Sequence, residues 1–497
     1  MKVLLIKPQR TIPNNFRGVG RIFPSVGLCY IGAVLEKNGY DVKVLDAAIE
    51  GWRKINQRSD GLKYIGIDFN EIGKRIKKEK PDIVGITTLS VDAISARQIA
   101  RTVKNVDSNI KVMMGGCHVS VTPFKTIADK NVDFVVVGEG EYTTLDLVKT
   151  LDEDKELYNV KGLIYRDKDK VIKNRPREYI KNLDELPFPA WHLTNMKEFF
   201  KLTKYLQGSH LTPERHLSII TSRSCPYGCI FCSVRSIMGR GFRPRSPENV
   251  VAEMEYMVNK YKIKLFSVED DNLTFDKKRA EKIFDLMIEK RLNNKITWDT
   301  PNGVRADTLD ENLLGKMKKS GAVHIFVSPE SGSQRVVKDI IGKKLDLGTV
   351  ENAVRICKDI GLKISCYFIV GLPGETKEDL EKTVAFASKM REFGAITLCA
   401  MARPTFGTEL YDLSKKKGYL MVDGEELERS LVQFEKRGAL KTPEFTPEEL
   451  DEYAKRIRAG NESDEMKQII KTKPFHAFKL FTLHPKIISN YLLKNKS

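Results

Sequence analysis

The sequence predicts an α/β protein: an N-terminal doubly wound parallel sheet, then a partial (β/α)6 barrel, then a helical C-terminal region. Three observations predict it. Short apolar runs alternate with amphipathic stretches over the first 145 residues, a second series of six strand–helix units follows, and the last stretch is helical only. At 497 residues the chain is too long for one ordinary domain. The boundaries read as 1–145, a connector with a hairpin at 146–214, the barrel at 215–410, and a basic helical region at 411–497.

In the first unit the expected strands are 3–6, 42–45, 83–87, 111–114 and 134–137, with helices at 28–38, 70–80 and 93–106. Gly39 stands where a helix C′ glycine belongs. Long crossovers between such strands require a parallel, Rossmann-like sheet, whose ligand lies beyond the carboxyl ends of the strands. That rule puts Asp46, Thr88 to Ser90, Gly115, Gly116 and the run Gly138, Glu139, Gly140, Glu141 on one rim. In the connector, residues 162–165 and 171–174 flank the charged turn Asp167-Lys168-Asp169 as a hairpin. The proline-interrupted run 186–191 is expected to lie extended across a domain seam.

The barrel strands are expected at 218–221, 265–268, 297–300, 324–328, 363–370 and 396–401, with helices such as 247–260, 277–291 and 377–391. Its working face is again the carboxyl rim. Further on, Thr446-Pro447-Glu448-Glu449 opens a helix. Residues 467–497 hold no acid, and Phe475, Phe478 and Phe481 recur there among lysines. This segment reads first as a helical cap on the barrel and second as a peripheral membrane contact.

Lys and Arg outnumber Asp and Glu by 84 to 66, a net charge of +18. This favours an anionic substrate or surface, or reflects nothing more than a lysine-rich proteome; a nucleic acid is not expected. No apolar run is long enough to cross a membrane, and the charged N-terminus reads as a strand rather than a signal peptide. The expected setting is the cytoplasm. Five of the eight cysteines, Cys29, Cys117, Cys357, Cys366 and Cys399, stand singly in apolar runs and read as small buried hydrophobes.

The other three, Cys225, Cys229 and Cys232, share one loop with Pro226 and Gly228 after the first barrel strand. Structural zinc would need a fourth Cys or His nearby, and none follows at the usual spacing. A [4Fe–4S] cluster takes four ligands, so three thiolates leave one iron open to an external chelator.

This CxxxCxxC loop resembles the signature of the radical S-adenosylmethionine superfamily, with Phe231 as the aromatic residue before the third cysteine. The resemblance implies that Phe231, Glu269, Arg305, Glu330 and Gly371 contact S-adenosylmethionine. They lie in, or at the ends of, segments that follow successive barrel strands, including Ser328-Pro329-Glu330-Ser331-Gly332 and Gly371-Leu372-Pro373-Gly374. One segment departs from the family: Glu269-Asp270-Asp271-Asn272 stands where a Gly-Gly-Glu-like stretch is usual, so which acid pairs with the methionine ammonium stays open.

The first domain resembles the cobalamin-binding domain of one subgroup, similar to class B radical methyltransferases. Pro24 to Leu28, Gly115-Gly116-Cys117-His118 and Gly138 to Glu141 carry that likeness. The resemblance implies that Asp46, Gly51, Thr88, Ser90, Gly115, Gly116, Gly138, Glu139, Gly140 and Glu141 form the cobalamin site. Ala48 replaces the histidine of the Asp-x-His-x-x-Gly motif, so this position offers cobalt no lower imidazole. His118 reads as a loop-orienting residue or a contact to a cobalamin amide.

The implied activity is methylation of an unactivated carbon by way of a 5′-deoxyadenosyl radical and methylcobalamin. The implied cofactors are a [4Fe–4S] cluster, S-adenosylmethionine and cobalamin. The implied partners are a small-molecule, lipid or peptide substrate and an external electron donor of the flavodoxin or ferredoxin type. A radical rearrangement or cyclisation enzyme of the same subgroup is the nearest alternative, and a non-catalytic cobalamin sensor the remotest.

Overall fold

The computed structural model describes residues 1–14, 22–58, 61–168, 170–203, 215–432 and 439–459. The basic segment with Phe475, Phe478 and Phe481 lies outside them. The first sheet uses β1 (Lys2–Lys7), β3 (Asp41–Asp46), β6 (Ile83–Thr87), β7 (Lys111–Gly115) and β8 (Phe134–Val136) as its parallel core. Val3 and Leu5 of β1 pack into one apolar cluster while Leu4 and Ile6 pack into another. Both faces are therefore buried, as strands of a parallel sheet require.

The helices α1 (Val26–Lys37), α2 (Ala47–Glu50), α3 (Phe69–Glu79), α4 (Ala93–Val106), α5 (Cys117–Val121), α6 (Pro123–Ile127) and α7 (Glu141–Asp152) complete this unit. Ser25 caps α1 by accepting from the Leu28 amide, and Asp68 and Glu71 form a reciprocal capping box on α3.

Two features depart from the sequence reading. The connector hairpin, β9 (Leu163–Asp167) and β10 (Lys170–Lys173), pairs antiparallel with β8 and extends the front sheet to seven strands, in the order β10-β9-β8-β7-β6-β1-β3. A second sheet of β2 (Arg10–Pro13), β4 (Ile55–Gln57) and β5 (Leu62–Ile65) has no counterpart among the expected strands. These strands are three or four residues long, too short to show a period.

The connector ends in α8 (Met196–Leu202). Before it, Trp191 is fully buried in a cluster that also holds Cys29, Ala48 and Ile49 of the front unit and Leu217 of the barrel. The extended run 186–190 thus delivers one large ring into the seam, and the Ala190 amide donates to the Cys29 carbonyl.

The second sheet is wholly parallel in the order β11 (His216–Ile219), β14 (Leu265–Val268), β15 (Thr297–Asp299), β16 (Ala322–Glu330), β17 (Lys363–Val370) and β18 (Ile396–Met401). A short ribbon, β12 (Ser222–Arg223) with β13 (Arg243–Pro244), stands off its first strand. Consecutive strands are neighbours throughout, the topology of a partial barrel. Helices α9 (Val234–Met238), α10 (Pro247–Tyr261), α11 (Lys277–Glu289), α12 (Glu311–Lys319), α13 (Leu347–Asp359) and α14 (Lys377–Glu392) accompany it.

The first barrel strand stops two residues earlier than expected. Asp270 accepts from the Thr221 amide (2.6 Å) and from both the Thr221 and Ser222 hydroxyls (2.5 Å each), which turns the chain out of the sheet. Beyond the barrel lie α15 (Glu409–Lys416), α16 (Gly424–Val432) and α17 (Pro447–Arg458). The expected start of α17 is present as a capping box between Thr446 and Glu449. Among the described residues no helix is long and apolar enough to cross a membrane.

Candidate active site

The two carboxyl rims face one another across a cavity of about 520 Å³. The front sheet supplies Gly115, Gly116 and Gly138 to Glu141, and the barrel supplies Ser218, Arg223, Glu269 and Asp271. Ala48 and Gly27 also reach this wall, and a Cβ on Gly27 would meet nothing within 4 Å. No histidine lines the cavity among the described residues.

Gly116 has φ 104°, and a Cβ there would lie 2.9 Å from the Thr88 backbone, so only glycine allows this close crossing. Four residues expected at the cobalamin site lie behind the wall. Asp46 caps α2 by accepting from the Ile49 amide and pairs with Lys7 at 3.4 Å; burial pushes its carboxyl up. Gly51 lets the chain pass Ile67 at a distance where a Cβ would stand 2.1 Å from its nitrogen. Thr88 is buried, and the Ser90 hydroxyl lies 3.1 Å from His118 Nδ1.

His118 takes a part that the sequence did not show. Its Nε2 lies 3.3 Å from Glu428 on α16, which also receives Arg97 (2.7 Å) and Lys125 (2.5 Å). Burial pushes the Glu428 carboxyl up, but hydrogen bonds from His118, Arg97 and Lys125 outweigh it and hold the group down at about 2. His118 therefore ties the front rim to the C-terminal helices. Nothing local to residue 428 signals this contact.

On the barrel rim, the three cysteines lie in one half-buried loop. The Cys232 amide donates to the Cys229 carbonyl, and the Asn272 amide approaches Cys225 Sγ at 4.0 Å. Burial pushes all three thiols up, Cys232 to about 11. A metal reverses that preference by deprotonating its thiols outright. Among the described residues no three such groups converge as ligands of a single ion. Three thiols carried on one loop fit a cluster that takes its fourth ligand from outside the protein.

The residues expected to hold S-adenosylmethionine gather around this loop. Arg305 lies over the Tyr227 ring at 3.8 Å and donates to Asp307 at 3.0 and 2.6 Å. Glu330 is buried, pairs with Lys343 at 3.0 Å and has φ 69°, a left-handed backbone that side chains adopt only when their surroundings enforce it. Phe231 packs with Leu372 and Ile340 in a small apolar cluster. Gly371, at φ 91°, abuts Leu450 of α17, and its amide donates to Glu375 at 2.7 Å. Burial pushes Glu375 up to about 7.

Of the three candidate acids after β14, Asp270 is consumed by the loop clamp described above. Glu269 accepts from Ser218 (2.7 Å) and Asp271 from the Ser224 amide (3.1 Å), and both face the cavity. Burial, and then the Asp270 charge, push Asp271 up to about 6.

The radical SAM superfamily matches residues 219–387, and the B12 binding domain matches residues 16–148. Over 457 residues the chain is 32% identical to the cytidylyl-2-hydroxyethylphosphonate methyltransferase of Streptomyces wedmorensis, covering 86% of this chain and 83% of that one. The chain belongs to the cobalamin-binding radical S-adenosylmethionine family. An uncharacterised methyltransferase of Pyrococcus horikoshii is 33% identical over 85% of this chain and 84% of its own.

Among solved structures of the family's fold, the radical S-adenosylmethionine methyltransferase TsrM of Kitasatospora setae, with cobalamin and a [4Fe–4S] cluster bound, superposes with a TM-score of 0.66. It is 17% identical, over 92% of this chain and 85% of that one. OxsB, with aqua-cobalamin and S-adenosylmethionine bound, gives 0.72 at 19% identity, over 99% of this chain and 72% of that one. Membership brings the cofactors with it: a [4Fe–4S] cluster, S-adenosylmethionine and cobalamin.

Proposed function

We propose that this protein methylates an unactivated carbon of a small molecule, using two molecules of S-adenosylmethionine for each product. The observation that carries this reading is one cavity walled by the glycine-built rim of the front sheet and by Ser218, Arg223, Glu269 and Asp271 of the barrel, with Asp271 also holding the Ser224 amide next to Cys225. Its relation to a phosphonate methyltransferase along most of both chains supports the same reaction class.

When bound, the cluster supplies an electron to the sulfonium of S-adenosylmethionine, and cobalamin carries the methyl group. The protein's own part is to hold and orient. Cys225, Cys229 and Cys232 hold the cluster and leave one coordination position to S-adenosylmethionine. Glu269 or Asp271 pairs with its ammonium group, Arg305 and Glu330 contact its polar parts, and Phe231 and Gly371 give the adenine an apolar, close-fitting bed. Gly115, Gly116, Gly138 and Gly140 bring backbone against the corrin, and Gly27 leaves room beside it. Asp46, Gly51, Thr88 and Ser90 shape that wall from behind. Ala48 keeps an imidazole away from the wall.

The buried Asp92 has one carboxyl oxygen without a hydrogen-bond partner and lines the cavity; burial pushes it up to about 6 against the charges of Arg10 and Lys7. An orphaned polar atom on the wall suits a ligand rich in amides or hydroxyls. An external one-electron donor of the flavodoxin or ferredoxin type, and a reducing cytoplasmic setting, go with eight cysteines that are all free.

The test is anaerobic turnover with labelled methyl donor and candidate metabolites. Methylation yields S-adenosylhomocysteine and 5′-deoxyadenosine together, with one carbon unit added to the substrate. 5′-Deoxyadenosine without S-adenosylhomocysteine, and a product of unchanged carbon count, would overturn it. That outcome would favour the cyclisation reading, for which a relative exists: the anaerobic magnesium-protoporphyrin IX monomethyl ester cyclase of Cereibacter sphaeroides, 27% identical over 76% of this chain.

A further inference from the structure

A buried charge cluster joins the cavity wall of the front domain to the cysteine loop of the barrel. Arg223 Nη1 donates to Glu139 at 2.7 Å and Nη2 donates to Glu141 at 2.6 Å. Arg243, paired with Arg223 across the β12–β13 ribbon, donates to both oxygens of Glu139 at 2.8 and 2.9 Å. The Glu139 carboxylate also accepts from the Ile180 amide at 2.7 Å, and the Tyr30 ring lies 5.3 Å from the Arg223 guanidinium. Two arginines against two glutamates leave the cluster neutral, which lets it stay buried without a solvating partner.

Its placement is what matters. Glu139 and Glu141 extend from the segment 138–141 that lines the cavity, and Arg223 stands two residues before Cys225. The one residue between them, Ser224, is held at φ 70°, with its amide on Asp271 (3.1 Å) and its hydroxyl on the Gly239 carbonyl (2.7 Å). A residue pinned in that way passes a displacement of Arg223 on to Cys225 rather than absorbing it. A ligand pressing on segment 138–141 therefore bears on the cysteine loop through rigid, charge-assisted contacts.

We infer that Arg223, Glu139 and Glu141 are positioning residues that couple the two cofactor sites, so that the cluster and cobalamin each strengthen the other's binding. This rests on the cofactor placement proposed above. Coupling of this kind is reciprocal, because one interaction energy is shared by both sites. Ion pairs that merely glued the seam would leave the affinity for either cofactor indifferent to the other.

The experiment is a visible-absorbance titration of the full chain with hydroxocobalamin, without S-adenosylmethionine or substrate. It compares anaerobically reconstituted protein with the cluster-free C225S/C229S/C232S variant. The cluster-loaded protein is expected to bind at least about fivefold more tightly, the lower end of typical coupling. In an E141Q background, which keeps the side-chain volume, the ratio should fall to within about twofold of one. R223K keeps the charge but cannot reach both carboxylates, so it should lose the coupling too; it supplies the reading should E141Q fail to fold. Circular dichroism at the titration temperature and iron content, unchanged in the tested variant, separate coupling from unfolding, whatever the melting temperature. A ratio of one in the unsubstituted protein, or a ratio that survives E141Q and R223K, overturns the inference and leaves the proposed reaction standing. Absence of cobalamin binding in every form would instead overturn the proposed reaction.

Discussion

The two rims that face each other across the cavity are built from opposite materials. The front sheet presents glycine backbone at 115, 116, 138 and 140 and an alanine at 48, and its two wall glutamates are already spent on Arg223. The barrel lines the cavity with Ser218, Glu269 and Asp271 and carries three thiols, Arg305 and Glu330 on its own loops. A wide, nearly rigid ligand is held by removing side chains from its path, which costs no desolvation of charge. A small zwitterion and a metal cluster are held by donor atoms, each of which needs support when buried. One rim selects by shape and the other by chemistry.

That contrast breaks if isosteric changes on the barrel rim are harmless. Cys229→Ser changes one atom and little volume, yet cluster iron and S-adenosylmethionine cleavage should both be lost completely, measured by iron assay and chromatography of 5′-deoxyadenosine. The next largest effect tests the exception, a charge that holds the front rim from outside. Glu428→Ala leaves His118, Arg97 and Lys125 around an empty buried site and should destabilise the fold by about 3–5 kcal/mol in denaturant titration.

The same carboxylate sets a pH dependence. Its folded value, about 2, lies below the ordinary 4.5, so its stabilisation is complete above about pH 4.5 and disappears as pH falls towards 2. Glu428→Gln should flatten that part of the acid-unfolding curve; an unchanged curve would remove Glu428 from the account.

Smaller effects sharpen the comparison. Gly27→Phe adds a ring on the cavity wall at a position where a Cβ meets nothing within 4 Å, and should weaken cobalamin binding about tenfold or more, on the scale of overpacking penalties, with melting temperature unchanged. Glu330→Gln keeps the shape and removes the charge. It should weaken S-adenosylmethionine binding by about five- to tenfold through loss of charge-assisted contacts, with cobalamin affinity unchanged. Equilibrium titration of each ligand against each variant checks both, and a crossed result would dissolve the distinction between the rims.

Much of the barrel was legible because its signals are local. Five of the six strand candidates coincide closely with β14 to β18, and Ser224 to Cys232 form one loop, since apolar runs and cysteine spacing are properties of neighbours in sequence. The early end of β11 was not legible, since it depends on Asp270, some 50 residues away. His118 shows the same limit: read as a loop-orienting residue or a contact to a cobalamin amide, it is held by Ser90 and by Glu428 of α16, a partner no local pattern names. Cys117, expected as a buried hydrophobe, lies half-buried on the cavity wall.

By itself the sequence determined that this protein has two strand–helix units, a three-thiol loop, glycines at strand ends and no histidine at position 48. These follow from periodicity and spacing, which act over a few residues. Only the tertiary structure decided that the two rims share one cavity, that Glu139 and Glu141 on its wall pair with Arg223, and that a C-terminal helix holds the front rim through Glu428. Those choices are made by buried charges, each of which must find an opposite partner wherever the chain brings one. That partner's place along the sequence carries no local mark.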